Sequence, residues 1–351
     1  MESLPTPKKI YPYPNGWYVI CKTEELKAGE IQSKKFAGKD IVLFRTEKGE
    51  AAATDAYCPH MGGHFAHGGK VVGETIQCPF HFFCFDTKGN CTETGYGTKT
   101  PPKAILKTYH LREVNGFVVV WHDAKGNDPN WNVPETNAEG WSQIMTTDFK
   151  LRSHPQETTE NSVDLGHFAI VHGYTNVEVL REAKADGPLL NSVYAFSRKA
   201  PAGWGKEPLR AEIELFSYGL GYSFVEVVLP RMGIKTRQYV FPCPIDGEYI
   251  NLKIGMAIKT IENPGKIMRI LSIFPKKLVT WFALRSAFKG YVHDVAQDFK
   301  IWENKVYMDN PALAKGDGPI MRYRKWAKQF YYEDGPENVT NFDDSALERV
   351  A

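Results

Sequence analysis

Residues 58–81 read CPHMGGHFAHGGKVVGETIQCPFH and contain two pairs of cysteine and histidine, Cys58 with His60 and Cys78 with His81. The first pair has the spacing C-x-H and the second C-x-x-H, with seventeen residues between the pairs. In a large chain without secretory features, clustered thiols and imidazoles indicate a metal site before a disulfide. Two thiolates and two imidazoles satisfy tetrahedral zinc, which is one interpretation of the pattern.

The mixed composition of each pair favours a [2Fe–2S] cluster, in which two thiolates hold one iron and two histidines hold the other. Zinc fingers usually pair Cys with Cys and His with His, whereas each loop here supplies one of each kind. Gly62 and Gly63 would let the loop backbone approach bridging sulfides. The loops resemble a Rieske iron–sulfur domain over roughly residues 15–125. The resemblance implies four cluster ligands: Cys58, His60, Cys78 and His81.

Two departures within these loops bear on the kind of Rieske domain. Respiratory Rieske subunits carry an extra cysteine in each loop, and the matching positions here hold Gly63 and Phe80. The resemblance is therefore to the low-potential kind, which accepts electrons from NAD(P)H-linked partners. The second loop usually continues His-Gly-Trp, but here it reads His81-Phe82-Phe83. We expect the ligands to be unchanged and the packing beneath this loop to differ.

A second constellation follows at residues 161–172, which read NSVDLGHFAIVH. We predict one helix over residues 157–171, on which Asp164 and His167 share a face at i, i+3 spacing. His172 lies five residues past His167, so the helix must loosen or end near Val171. Two histidines with one carboxylate form the facial triad of a mononuclear iron(II) site.

Together the two constellations make the whole chain resemble the catalytic (alpha) subunit of a Rieske non-haem iron oxygenase. The resemblance implies that His167 and His172 bind a mononuclear Fe(II). It also implies that the Asp164 carboxylate hydrogen-bonds His167 and reaches His81 of a neighbouring subunit, so that electrons cross within a homotrimer. Asn161 is expected to support Asp164.

The third iron ligand must be a carboxylate farther along the chain. Asp298 lies on a predicted helical face shared with Val295, Ile301 and Trp302, and a carboxylate on an apolar face is costly unless it is paired or coordinated. The Asp-x-x-Ile-Trp run also resembles the matching segment of the family. Asp294, one turn earlier, is the alternative.

The distribution of strand and helix patterns predicts an α+β chain of two domains. Residues 1–130 are expected to form an all-β Rieske domain, with hairpins at Gly73-Glu74 and Asn115-Gly116. Residues 131–351 are expected to form the catalytic domain, and the resemblance implies a helix-grip (START-like) fold with a central antiparallel sheet. Its predicted elements are strands at 192–198, 209–217, 220–229, 236–241 and 248–259, a mainly helical segment at 265–308 interrupted at Pro275 and Gly290, and a loosely packed polar tail after residue 335.

Composition excludes several functional classes. The net charge is +2, which leaves no basic field for nucleic acid. No apolar run approaches the ~20 residues of a membrane helix, and the N-terminus lacks a secretory signal, so we expect a cytoplasmic protein. No dinucleotide fingerprint is present, because Gly219-Leu220-Gly221 lacks the third glycine. We therefore expect a separate NAD(P)H-dependent reductase, a ferredoxin, or both.

The substrate is the least constrained part of the interpretation. The loop at residues 55–63 most resembles the branch that contains ketosteroid 9α-hydroxylase and the cholesterol 7-desaturases, which implies O2-dependent hydroxylation or desaturation of a bulky, apolar, steroid-like substrate. The alternatives are the same chemistry on an aromatic acid, an alkaloid or an N- or O-methyl group. A pure electron carrier and a zinc-stapled binding module are the remaining hypotheses.

Overall fold

The computed structural model describes residues 13–198 and 207–332. The described residues divide into two compact units, the first comprising residues 15–136 and 243–247, the second comprising residues 13–14, 137–198, 207–242 and 248–332. The predicted domain boundary between residues 130 and 131 stays a prediction. The polar tail after residue 335 lies outside the described residues.

The first unit consists of short strands, as its turn-rich sequence predicts. Among the described residues it has three antiparallel sheets, in the orders β1-β11-β10, β2-β3-β4-β9 and β5-β6-β7-β8. The strands are β1 (Gly16–Lys22), β2 (Ile31–Phe36), β3 (Lys39–Arg45), β4 (Ala51–Asp55), β5 (Lys70–Val72), β6 (Thr75–Gln77), β7 (Cys84–Phe85), β8 (Cys91–Glu93), β9 (Thr108–Tyr109), β10 (Leu111–Val114) and β11 (Phe117–His122).

Both predicted hairpins of this unit are confirmed. Val72 pairs with Thr75 around Gly73-Glu74, and Val114 pairs with Phe117 around Asn115-Gly116. Asn115 and Gly116 both have positive φ, 54° and 83°, which a two-residue turn of type I′ requires. The first of these hairpins joins the two cysteine–histidine loops.

The second unit is built on a seven-stranded antiparallel sheet in its described part, with the order β12-β18-β17-β16-β15-β14-β13. The strands are β12 (Met145–Arg152), β13 (Thr175–Asp186), β14 (Leu189–Arg198), β15 (Leu209–Tyr218), β16 (Tyr222–Leu229), β17 (Ile234–Pro244) and β18 (Tyr249–Ile258). Five of them confirm the strands predicted from period-2 alternation, with bounds that differ by a few residues. The sheet is the predicted central antiparallel sheet of an α+β fold.

The helices are α1 (Pro155–Glu160), α2 (Leu165–Ile170), α3 (Lys276–Asn304) and α4 (Ile320–Ala327). The long α3 packs its apolar face on the sheet, where Val279, Leu284 and Phe288 join Leu252 and Ile254 of β18 in one buried cluster. Each such side chain contributes about 1.5–3 kcal/mol when it is removed from water. This packing fixes the helix that carries Asp298.

Two predictions about helices are wrong. The expected single helix over residues 157–171 is two short helices, because Asp164 has an extended backbone and caps α2 by accepting a hydrogen bond from the His167 N–H at 3.2 Å. The bend is held from outside, since the Leu165 N–H donates to the Asp317 carbonyl at 3.1 Å. Gly290 does not interrupt α3, whereas Pro275 does lie directly before its first residue, as predicted.

Candidate active site

The two cysteine–histidine loops close in the same way. The Cys58 N–H donates to the Gly63 carbonyl at 2.8 Å, and the Cys78 N–H donates to the Phe83 carbonyl at 2.9 Å. The fourth residue after each cysteine has a left-handed backbone, with φ of 74° at Gly62 and 53° at Phe82. The backbone geometry is thus repeated, although the second loop has phenylalanine where the family usually has glycine.

The loops bring together the four residues predicted to hold the cluster. The rings of His60 and His81 lie 4.8 Å apart between centroids, and the Cys58 and Cys78 thiols interact directly. Burial raises the pKa of the Cys58 thiol to about 12, so its thiolate requires a cation. The Nδ1 atom of His81 is buried and has no hydrogen-bond partner among the described residues. An orphaned imidazole nitrogen beside two buried thiols fits a [2Fe–2S] cluster.

Close packing around the loops accounts for two glycines and for the altered second loop. A Cβ at Gly63 would lie 2.8 Å from Cys78 Sγ, and a Cβ at Gly95 would lie 2.3 Å from the His81 carbonyl oxygen. Phe83, which stands where the family usually has tryptophan, is buried and stacks on His60 at 4.2 Å. Sequence reasoning missed Gly95, whose N–H donates to that same carbonyl at 3.1 Å.

In the second unit, His167, His172 and Asp298 converge. One potential ligand atom of each lies within 4.8 Å of those of the other two. His172 Nε2 is 3.5 Å from Asp298 Oδ2, and both side chains are 8% exposed. Two imidazoles and one carboxylate at this spacing could hold a mononuclear metal ion and leave coordination positions open.

The other nitrogen of each histidine is fixed by a neighbour. His167 Nδ1 donates to the Asp164 backbone carbonyl at 2.5 Å, and His172 Nδ1 donates to Gln297 Oε1 at 2.9 Å. These acceptors select the tautomer whose Nε2 is free to ligate. The Asp164 carboxylate itself is 3.9 Å from His167 Nδ1 and caps α2 instead, so the expected contact is made by its backbone.

Burial perturbs the titration of this group in the metal-free chain. Desolvation, reinforced by His172, lowers the pKa of His167 to about 4. Desolvation raises the pKa of Asp298 to about 6, opposed by His172 and by a side-chain hydrogen bond from Asn161. At neutral pH the His167 imidazole is therefore neutral and the Asp298 carboxyl is mostly ionised, which is the protonation state that metal binding needs. Asn161 therefore supports Asp298, whereas the sequence suggested support of Asp164.

Asp294, the alternative third ligand, faces other partners. Its Oδ2 accepts from Tyr174 Oη at 3.2 Å and pairs with Arg198 Nη1 at 3.2 Å. Arg198 and Tyr174 were not found from the sequence, because the contact joins residues far apart along the chain.

A buried ionic network supports the bend between α1 and α2. Arg324 of α4 makes a bidentate pair with Glu160 at 2.6 and 2.9 Å, and Lys305 pairs with Glu157. Burial raises the pKa of Glu157 despite that partner. Because Glu160 directly precedes Asn161, this network anchors the segment that leads into the candidate metal site.

A cavity of about 750 Å³ lies between the sheet and α3. Its walls are mainly apolar side chains of β15, β16, β17 and α3, because alternate strand residues face inward and pack towards the helix. His167, His172 and Asp298 are among the lining residues. A substrate in this cavity could therefore reach a metal held by those three residues.

Comparison with known families agrees with this architecture. Residues 16–110 match the Rieske [2Fe-2S] domain, and residues 120–331 match the 3-ketosteroid 9alpha-hydroxylase C-terminal domain. A Rieske domain followed by this catalytic domain defines a class of oxidoreductases, the Rieske non-haem iron oxygenases. The chain belongs to this oxygenase family, in the group with the 3-ketosteroid 9alpha-hydroxylase type of catalytic domain. Its cofactors are a [2Fe–2S] cluster and a mononuclear non-haem iron.

Curated relatives cover nearly all of the chain. It is 32% identical over 339 residues to the cholesterol 7-desaturase of Drosophila melanogaster, covering 91% of this chain and 75% of that protein. It is 30% identical over 359 residues to the probable 3-ketosteroid-9-alpha-monooxygenase oxygenase component of Rhodococcus rhodochrous, covering 94% and 84%. The chain is therefore homologous to both steroid hydroxylases and sterol desaturases.

Solved structures share the fold at lower identity. Pseudomonas putida CBB5 NdmA with caffeine superposes with a TM-score of 0.65 at 19% identity, covering 89% of each chain. Dicamba monooxygenase bound to dicamba gives 0.63 at 18% identity, covering 90% of this chain and 97% of that one. No helix among the described residues is long and apolar enough to cross a membrane.

Proposed function

We propose that the chain is the oxygenase component of a multicomponent system that uses O2 to hydroxylate or desaturate a bulky, apolar, steroid-like substrate. The cavity carries this proposal. Its 750 Å³ lies within the range of about 300–1,000 Å³ for small-molecule sites, and its walls are mainly apolar. A polycyclic hydrocarbon skeleton with few polar groups matches such a lining.

The charges of the cavity argue against an aromatic acid. Among the lining residues of the described chain, Arg198 is the one Lys or Arg, and Asp294 neutralises it at 3.2 Å. A substrate carboxylate would have to break that pair or stay unpaired in apolar surroundings, which costs several kcal/mol. Ser223, Thr236 and Gln238 supply hydroxyl and amide groups suited to a single hydroxyl or ketone.

The site residues have distinct proposed roles. Cys58 and Cys78 hold one cluster iron, and His60 and His81 hold the other. His167, His172 and Asp298 would hold the mononuclear iron, which would supply the site of O2 chemistry, and the cluster would supply single electrons. The apolar cavity excludes water from the reacting carbon and orients it towards that position.

Electron supply requires partners. The chain shows no nicotinamide or flavin fingerprint, so we propose a separate NAD(P)H-dependent reductase, a ferredoxin, or both as donor. Exposed apolar side chains border the cluster loops, with Met61 64% and Phe80 58% exposed. They suit docking against another protein surface, and we propose a homotrimer in which Asp164 links the iron of one subunit to His81 of its neighbour.

Single-turnover chemistry tests the substrate proposal. The protein, loaded with both cofactors and reduced chemically, is mixed with O2 and one compound from a panel of cholesterol, a 3-ketosteroid, benzoate and caffeine. Mass spectrometry should find one added oxygen atom, or two lost hydrogens, in a sterol or ketosteroid. Turnover of benzoate or caffeine alone would overturn the steroid assignment while leaving the oxygenase chemistry intact.

Asp164→Asn tests the proposed electron route. Asparagine is also a good N-cap, so α2 should start as before and both cofactors should stay bound. We expect oxidation of the reduced cluster by substrate and O2 to slow by orders of magnitude, measured by stopped-flow absorbance. Loss of iron from this variant would mean that Asp164 has a structural role instead.

A further inference from the structure

The start of α3 and the turns before it carry a large exposed apolar surface. Seven apolar side chains between Met268 and Phe282 are more than two-fifths exposed, among them Ile273 at 71% and Phe282 at 59%. A soluble surface rarely exposes so many neighbouring apolar side chains without a binding role. We call this surface, residues 266–289, the mouth patch.

The mouth patch surrounds an opening of the cavity. Phe274, Leu278 and Phe282 line the cavity and are also 45%, 42% and 59% exposed. Side chains that face both the interior and solvent mark the place where the cavity reaches the surface. A bulky apolar substrate entering here would have to pass across the mouth patch.

The charge of the mouth patch has one sign. Six basic residues lie within it, and all are exposed: Lys266, Arg269, Lys276, Lys277, Arg285 and Lys289. No Asp or Glu occurs between Glu262 and Asp294, although the whole chain carries 41 acids against 43 bases. Glu262 pairs with Lys276 at 2.7 Å at the edge of the patch. The excess of positive charge is therefore confined to this part of the surface, because the net charge of the whole chain is only +2.

Aromatic side chains are arranged among these cations. Arg285 lies over the ring of Trp281 at 3.6 Å, and Trp281 contacts Phe282 at 4.7 Å between ring centroids. Exposed tryptophan and phenylalanine beside lysine and arginine are typical of segments that lie in a membrane interface, with rings at the acyl boundary and cations at the headgroups.

We propose that the mouth patch docks the protein on the surface of a bilayer containing anionic lipids. The complementary charge of the cations selects the anionic membrane, and the apolar side chains insert at its surface without crossing it. The cavity then opens towards the lipid, so that a membrane-dissolved substrate enters without passing through water. The proposal of membrane docking does not depend on the proposed function, whereas the proposal of substrate entry from the lipid rests on it.

Vesicle sedimentation tests the docking. The full chain is mixed with substrate-free vesicles of phosphatidylcholine alone, or of phosphatidylcholine and phosphatidylserine at about 7:3. We expect binding to the anionic vesicles that falls as salt is added, and at least about tenfold weaker binding to phosphatidylcholine alone. Equal binding to both vesicle types, or none to either, would overturn the proposal.

A matched pair of variants locates the surface. Ile273→Glu/Lys277→Glu replaces one exposed apolar residue and one exposed lysine in the patch, neither of which lines the cavity. Val72→Glu/Lys88→Glu makes the same change in charge on the first unit. We expect the first variant to lose at least about tenfold in partitioning and the second to behave as wild type. Equal loss in both variants, or in neither, would overturn the assignment.

Two further measurements separate the competing explanations. Sedimentation velocity without lipid should give the same oligomeric state for wild type and Ile273→Glu/Lys277→Glu, because a changed state would make the patch an interface between copies and overturn the proposal. Turnover of a sterol delivered in anionic vesicles should fall in that variant, while turnover of the same sterol delivered in cyclodextrin should not. Equal loss by both routes would overturn the entry role, and absence of turnover in wild type would contradict only the proposed function.

Discussion

Gln297 accepts the Nδ1–H of His172 at 2.9 Å, and the next residue of α3, Asp298, faces the Nε2 atom of the same imidazole at 3.5 Å. Two consecutive residues of one helix thus contact the two ring nitrogens of His172. Neighbours that orient a metal-binding histidine typically contribute a factor of about 10–100 to metal affinity.

Replacement of Gln297 should therefore weaken iron binding without affecting the cluster. We expect Gln297→Leu to lower Fe(II) affinity by about 10–100-fold, measured by competition with a chelator. Gln297→Glu keeps an oxygen acceptor and should recover most of the affinity. The EPR signal of the reduced cluster serves as the control and should be unchanged; unaltered iron affinity in Gln297→Leu would show that His172 needs no orienting partner.

Iron binding by protein that lacks only the mononuclear iron should depend on pH through Asp298. His167, with a pKa of about 4, is already neutral at pH values where Asp298, with a pKa of about 6, is protonated. Since iron must displace that proton, affinity should be nearly constant above pH ~7 and fall about tenfold per unit below pH ~6. An iron affinity that does not change down to pH ~5 would show that protonation of Asp298 does not limit iron binding in acid.

Asn161→Ala gives that pH dependence a residue-level test. The Asn161 hydrogen bond lowers the pKa of Asp298, so its loss should raise that pKa further. A hydrogen bond to a charged group is worth roughly 1.5–3 kcal/mol, which corresponds to a shift of about one to two pH units in iron binding. Ser162→Ala is the matched control, because Ser162 Oγ bonds the Thr159 carbonyl at 2.6 Å and should leave the profile in place.

The left-handed backbone of Phe82 should make the second cluster loop less stable than a glycine would. A non-glycine residue in this region costs about 1–2 kcal/mol, and a new glycine loses about 0.4–1 kcal/mol through unfolded-state entropy. Because the Phe82 ring is more than half exposed, Phe82→Gly should raise the free energy of unfolding by about 0.5–1 kcal/mol in urea titrations. Phe82→Ala keeps the Cβ and should bring no gain; equal stability of the two variants would remove backbone strain as the explanation.

The two cysteine–histidine loops could be predicted from sequence because their geometry is local: each pair and the hydrogen bond that closes its loop lie within six residues. That Asp298 rather than Asp294 lies beside the two histidines could also be predicted from the sequence, because Asp298 shares a helical face with Ile301 and Trp302. The break between α1 and α2 could not be foreseen, because the Asp317 carbonyl that holds it lies far along the chain. The same distance concealed Gln297 as the partner of His172 and Arg198 as the partner of Asp294.

The buried pair between Arg324 and Glu160 should dominate the stability of the segment that precedes Asn161. Arg324→Met leaves the Glu160 carboxylate buried without its bidentate partner, and breaking such a pair costs roughly 3–5 kcal/mol. Arg324→Met/Glu160→Met replaces both charges with apolar groups and should recover most of that loss, measured by guanidinium unfolding. Arg181→Met removes one side of the exposed pair with Glu214 and should cost less than about 1 kcal/mol. If Arg324→Met lowered the free energy of unfolding as little as Arg181→Met does, water would have to reach Glu160. The ionic network then could not be what anchors the bend beside the candidate metal site.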